Sequence, residues 1–225
     1  MKSVPLTLRA LAALLSYPDG QLRAALPELG DALGPDCGLS RQRLRELDAL
    51  MRTLSSGDPF DTEARYVDTF DRGRATSLHL FEHVHGDSRE RGPALVDLQQ
   101  TYERAGLKLE GKELPDHLPV VLEFASTQPD KVAREFLGEM AHILTAIFSA
   151  LLERGSPYAS AIAAVLELAG HRVQAVPVPQ DAALDDAWAE PPAFDGCSSR
   201  GQARPDAPQP IHIVRKSPSA QGAAV

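Results

Sequence analysis

The stretch KVAREFLGEMAHILTAIFSALLE, residues 131–153, decides the fold class. Val132, Phe136, Met140, Leu144, Ile147 and Leu151 recur at steps of three and four, the spacing of one helical face. Ile143 and Phe148 widen that face. The segment is therefore expected to form the longest helix of the chain and to lie at its centre.

The same period runs outward in both directions. Leu8, Leu11, Leu14 and Leu15 form a stripe that ends near Pro18, because proline disfavours helix at the residue before it. Leu22 and Leu26 mark a short second helix between Asp19 and Pro27. Ser40 is a cap for a third, carrying Leu44, Leu47, Met51 and Leu54. Asp58-Pro59 starts a fourth, with Phe60, Ala64, Val67 and Phe70 on its inner face. Leu78, Phe81 and Val84 predict a fifth, and Leu95, Leu98 and Tyr102 a sixth that starts at Asp87 or Ser88. Another begins at Pro119, and Ser156-Pro157 opens the last, with Ala161, Ile162, Val165 and Leu168 inside. No alternating strand is readable, so the expected class is all-α, a helical bundle over residues 1–174.

Beyond residue 175 the composition changes. Eight of the 18 prolines lie there, among Gly, Ser, Ala and Gln. Such a segment buries too little apolar surface to offset the entropy of ordering, so 175–225 is expected to be a mostly disordered tail. Trp188, Phe194 and Ile211–Val214 are its apolar spots.

Charge and cysteine usage narrow the function. With 31 acidic and 23 basic residues the formal charge is -8, which argues against nucleic acid as the main partner. It suits a basic peptide. Cys37 and Cys197 form no CxxC pair. Arg9 interrupts the apolar run after Leu6, no twin-arginine pair is present, and no stretch reaches the roughly 18 apolar residues of a membrane span. The expected location is the cytoplasm, without membrane insertion.

Residues 66–124 differ from the Leu/Ala-patterned remainder by crowding aromatics, histidines and both charges. His79 and His83 are four apart, with Glu82 and His85 beside them, but zinc needs three or four such ligands and no HExxH order is present. Asp116 and His117 are adjacent, which in a helix turns their side chains about 100° apart. No GxSxG or GxxxxGK[ST] element accompanies them. No metal, no cofactor and no catalytic residue is therefore assigned. Peptide recognition is the remaining chemistry. Pro115 and Pro119 stiffen a loop that would hold Asp116 and His117 at the lip of a groove. Tyr66, Phe70, Leu80 and Phe81 would wall it, His79 and His83 would line it, and Glu82, Asp87 and Glu113 would meet basic groups of a ligand. The residues alone leave a second reading equally open, in which Phe70 and Phe81 are core and the charges are simply solvated.

The block YVDTFDRGRATSLHLFEHVHGDSRERG (Tyr66–Gly92), the Glu113-Leu114-Pro115-Asp116-His117-Leu118-Pro119 element and the Leu122-Glu123-Phe124 helix start resemble the NarJ-type chaperones of respiratory nitrate reductase. The likeness extends over roughly residues 6–170. The wider TorD-type chaperones share the Asp-His element but not SLHLFEH. The resemblance implies an all-helical protein that binds the apo catalytic (alpha) subunit, partly through its N-terminal peptide. It would hold that subunit until the molybdenum cofactor is inserted and the membrane anchor engaged. Two alternatives are a chaperone for another twin-arginine-exported molybdoenzyme and a small metal- or nucleotide-dependent enzyme. Deleting 176–225 should leave the melting temperature and client binding almost unchanged. A fall of many degrees in a thermal melt would contradict this.

Overall fold

The computed structural model describes residues 4–177, apart from Asp87 and Lys112. Among these, ten α-helices follow one another: α1 (Val4–Leu14), α2 (Gly20–Ala32), α3 (Arg41–Ser56), α4 (Pro59–Phe70), α5 (Leu80–His85), α6 (Arg91–Arg104), α7 (Leu118–Ser126), α8 (Asp130–Glu139), α9 (Ala141–Glu153) and α10 (Ala159–Leu168). A 3₁₀ turn at Arg74–Thr76 precedes α5, and the described residues contain no strand.

Local chemistry sets the helix starts. The Asp19 carboxylate accepts the Gln21 and Leu22 amides at 2.9 and 2.8 Å. Ser40 caps α3 through the Arg43 amide, and Asp58 caps α4 through Phe60, with Pro59 behind it. Hydrophobic burial then stacks the helices. α1 lies along α7, α9 packs on α10, and α10 also touches α3 and α1. Leu11, Leu122, Leu144, Ile147 and Ile162 meet in the core with no exposed surface. Each such side chain contributes about 1.5–3 kcal/mol by leaving water. A satellite cluster of Leu98, Tyr102 and Phe124 holds α6 to α7.

Four expectations about these helices are corrected. The 131–153 helix is two helices, α8 and α9, bent by 66°. The break falls at Met140, whose amide reaches back only three residues, to Leu137. Gly138 lets His171 approach to 3.4 Å of where a Cβ would sit. The bend allows Ala133 and Leu137 to face the core, so Val132, at 46% exposure, points outward. Pro27 does not end α2, which continues through it to Ala32. In α4 the buried row is Thr62, Tyr66 and Phe70, leaving Phe60 79% exposed and Ala64 exposed. Likewise α5 buries Leu80 and exposes Val84.

The chain after α10 stays against the bundle as far as it is described. Val173 packs on the core, and the Val176 amide donates to Ser149 Oγ at 2.9 Å, inside the stretch expected to be free. Trp188, Phe194, Cys197 and Ile211–Val214 lie outside the described residues. Among the described residues no single helix is long and apolar enough to cross a membrane.

Leu144→Ala should cost about 2–5 kcal/mol, because a buried leucine leaves both lost transfer energy and a cavity. Val132→Ala should stay within about 0.5 kcal/mol. Urea unfolding of both variants checks the bent register; equal losses would favour the straight one.

Candidate functional site

Helix α5 has six residues, fewer than the ~12–15 an isolated helix needs in water. Its cap residue His79 offers its free amides no side-chain bond. A distant segment supplies it instead. The Leu80 amide donates to the Asp116 carbonyl at 3.1 Å, and the Phe81 amide to the Asp116 carboxylate at 3.0 Å. The Leu118 amide donates to the Leu78 carbonyl at 2.9 Å, so His79 and His117 face each other in an antiparallel bridge. At the other end of α5, Arg74 Nε donates to the Glu82 carbonyl at 2.8 Å. Gly86 turns there at φ 55°, and a Cβ on it would collide with the Arg74 guanidinium. The Tyr102 hydroxyl anchors the loop by donating to the Pro115 carbonyl at 2.8 Å. Burial pushes that phenol up, so it remains a donor.

The Asp116 side chain is fully buried. His79 Nδ1 lies 3.5 Å from one carboxylate oxygen, and Arg91 Nη2 lies 4.0 Å from the other. Burial alone would raise the Asp116 pKa. The His79 ring, the Phe81 amide and Arg91 outweigh it and hold the carboxyl below its ordinary value of 3.8. Reciprocally, the carboxylate raises His79 above 6.5 against the opposing effect of burial. His117, 5.0 Å from His79 ring to ring, is lowered by its own burial and then by His79, the opposite direction to its neighbour.

A cavity of about 410 Å³ opens beside this cluster, with His79, Glu82, Arg74, Arg91 and Asp71 on its walls. A second, of about 400 Å³, is floored by Tyr102, Val120 and Phe124, with Glu123 as its carboxylate.

The structure brings His79, Glu82, Asp116 and His117 together, with Glu113 on the rim at 3.5 Å from His117 Nδ1. It separates the others. Tyr66 and Leu80 are core: Tyr66 stacks between Tyr17, Phe70 and Tyr158 and donates to the Leu15 carbonyl at 2.8 Å. They cannot wall a groove. Phe70 is 4% exposed and is among the residues that line the first cavity. Phe81 is half-buried between the two clusters, with its ring against His85. His83 Nε2–H donates to the Ser77 carbonyl at 2.9 Å, which fixes the turn before α5. Asp87 lies outside the described residues. Asp116 is not at a lip but beneath one, because its oxygens face the α5 amides. Among the described residues no three His, Cys, Asp or Glu side chains converge to share an ion. Sequence reasoning passed over Arg74, Arg91 and Tyr102. Arg91 sits in the quoted SRERG run, and its role is set by a partner on another helix.

The Asp116–His79 pair ties stability to pH in two directions. The stability from lowering Asp116 is present above 3.8 and is lost as pH falls through the depressed folded value. The stability from raising His79 is present below 6.5 and is lost as pH rises through the elevated folded value. Asp116→Asn should therefore cost most between pH 3.8 and 6.5. At neutral pH it should cost about 1–3 kcal/mol. Denaturant unfolding across pH checks this; a constant difference would contradict it.

Comparison with known proteins fits this arrangement. The family model for the nitrate reductase delta subunit matches residues 19–164. The chain is 42% identical over 179 residues to "Nitrate reductase molybdenum cofactor assembly chaperone NarJ" of Escherichia coli (strain K12), covering 78% of this chain and 76% of that protein. It is 38% identical over 193 residues to NarW of the same strain, covering 81% and 80%. A solved structure from Archaeoglobus fulgidus, described as a redox enzyme maturation protein, superposes with a TM-score of 0.51 at 22% identity. It covers 72% of this chain and 90% of that one, which establishes a shared fold. The matched span contains every helix from α2 through α9 and the whole Asp116 cluster, and the chain belongs to the nitrate reductase delta subunit family.

Proposed function

We propose that this chain is an assembly chaperone for respiratory nitrate reductase. It acts in the cytoplasm on the apo catalytic subunit, while the molybdenum cofactor is inserted and before membrane attachment. It works by holding a client, without turnover of a substrate. The observation that carries this reading is the likeness to E. coli NarJ over about three quarters of both chains.

The client segment is an amphipathic N-terminal peptide with basic residues, taken up over α5. With Tyr66 and Leu80 in the core, its apolar face has other candidates on the neighbouring surface: Phe81 at half burial, and Val84, Val96 and Leu114 at 53%, 53% and 40% exposure. They sit on α5, α6 and the Asp116 loop. Burial of such side chains supplies most of the free energy in helix-in-groove binding. Glu113, at 62% side-chain exposure, is more open than Glu82 at 28%. Acids near the rim set on-rate and salt dependence more than affinity. Asp116 takes part from below, by fixing α5.

The test is calorimetric titration of the client's N-terminal peptide into wild type, Val84→Ser and Leu114→Ser. Each substitution should weaken binding by roughly fivefold to tenfold, the range of about 1 kcal/mol per truncated contact residue. Neither should shift unfolding by more than about 0.5 kcal/mol, since both sites are exposed. Unchanged affinity in both would show that the client lies elsewhere.

A further inference from the structure

A basic client meets an obstacle at this site: Glu82 and Asp116, the carboxylates nearest α5, are already partnered. Asp116 is fully buried between His79, the Phe81 amide and Arg91. Glu82 accepts from Arg91 Nη2 at 3.0 Å. Resting on the chaperone reading above, we propose that Arg91 is a stand-in for the client's own arginine or lysine. The incoming cation takes its place on Glu82, and Arg91 swings out to solvent.

Four features make Arg91 exchangeable. Its contact with Glu82 is through one nitrogen, and its Nε is buried with no acceptor, so the two-bond fork that makes guanidinium–carboxylate pairs strong is not formed. The Arg91 and Glu82 side chains are 23% and 28% exposed, so the pair already borders water. Arg91 is the first residue of α6, where the positive end of the helix dipole disfavours a cation. Both residues line the 410 Å³ cavity, so an incoming side chain has room to reach Glu82.

The neighbouring arginine behaves differently. Arg74 donates to the Glu82 carbonyl and fills the space over Gly86, so it is locked as part of the α5 terminus. Exchange at Arg91 leaves the net charge of the cavity unchanged. Asp116 keeps a cation nearby throughout, which avoids leaving a buried carboxylate uncompensated. The device also selects: a neutral or acidic segment cannot replace Arg91, and the cavity stays closed to it by its own ion pair.

The test uses the full chain and two probes. The first is the client's N-terminal peptide, with each arginine or lysine as it stands or replaced by a neutral isostere, titrated into wild type, Arg91→Gln and Glu82→Gln. Arg91→Gln should bind the cationic peptide roughly two- to fivefold tighter, because the resident competitor is gone. Glu82→Gln should lose the preference for the cationic over the neutral peptide while melting as wild type does. The second probe is N-acetyl-arginine methylamide at millimolar concentration, followed through the Arg91 Nε resonance by NMR. It should move Arg91 to a solvent-like shift; the citrulline analogue should not. Weaker or equal binding to Arg91→Gln, or an Arg91 resonance that never moves, overturns the exchange. If the small probe displaces Arg91 and no client peptide binds any variant, the exchange stands and the client assignment falls.

Discussion

The buried carboxylate of Asp116 is the constraint on which the site depends. A six-residue helix has too few internal hydrogen bonds to persist, and α5 has no capping side chain of its own. Asp116 meets its first two amides, one with a main-chain oxygen and one with a side-chain oxygen. Tyr102 holds the loop that carries Asp116, and Arg74 closes the other end of the helix. Removing any one of these leaves buried polar groups unmatched, which is costlier than never having placed them there. The local rigidity is thus a product of four hydrogen bonds made with residues outside α5 or between them, rather than of helix propensity.

That arrangement also fixes the charge pattern. One buried anion raises the pKa of His79, while burial, and next the His79 ring, lower that of His117. Glu82 is covered by Arg91. A chain of formal charge -8 therefore presents, at Glu82 and Asp116, formed pairs rather than bare carboxylates. A basic partner gains by exchanging into these pairs, which favours selectivity over raw attraction.

The all-helical class was legible because the apolar period is carried by strong repeats, as in Leu8, Leu11 and Leu14, and by caps such as Asp19, Ser40 and Asp58 that the structure uses. What periodicity could not supply was register within short helices and a bend between long ones. Val132 and Ala133 are both compatible with an inner face, and the 66° bend at Met140 chooses Ala133. Residues 66–124 were legible as a unit, but not in depth. Phe70 and Phe81 read equally well as groove or core, whereas Tyr66 and Leu80 were expected in the groove wall; their burial follows from contacts with Tyr17, Tyr158 and α9 that lie far away in sequence. Asp116 was visible as a special residue, whereas its position beneath the surface depends on where the α5 amides fall.

Amide hydrogen exchange at Leu80 and Phe81 tests the central claim most directly. If Asp116 holds α5 from below, Asp116→Ala should expose both amides to rapid exchange while the α9 and α10 core amides keep their protection, and client binding should fall in step. Full protection at Leu80 and Phe81 in that variant, with binding nonetheless lost, would mean that Asp116 meets the client itself and would contradict the account.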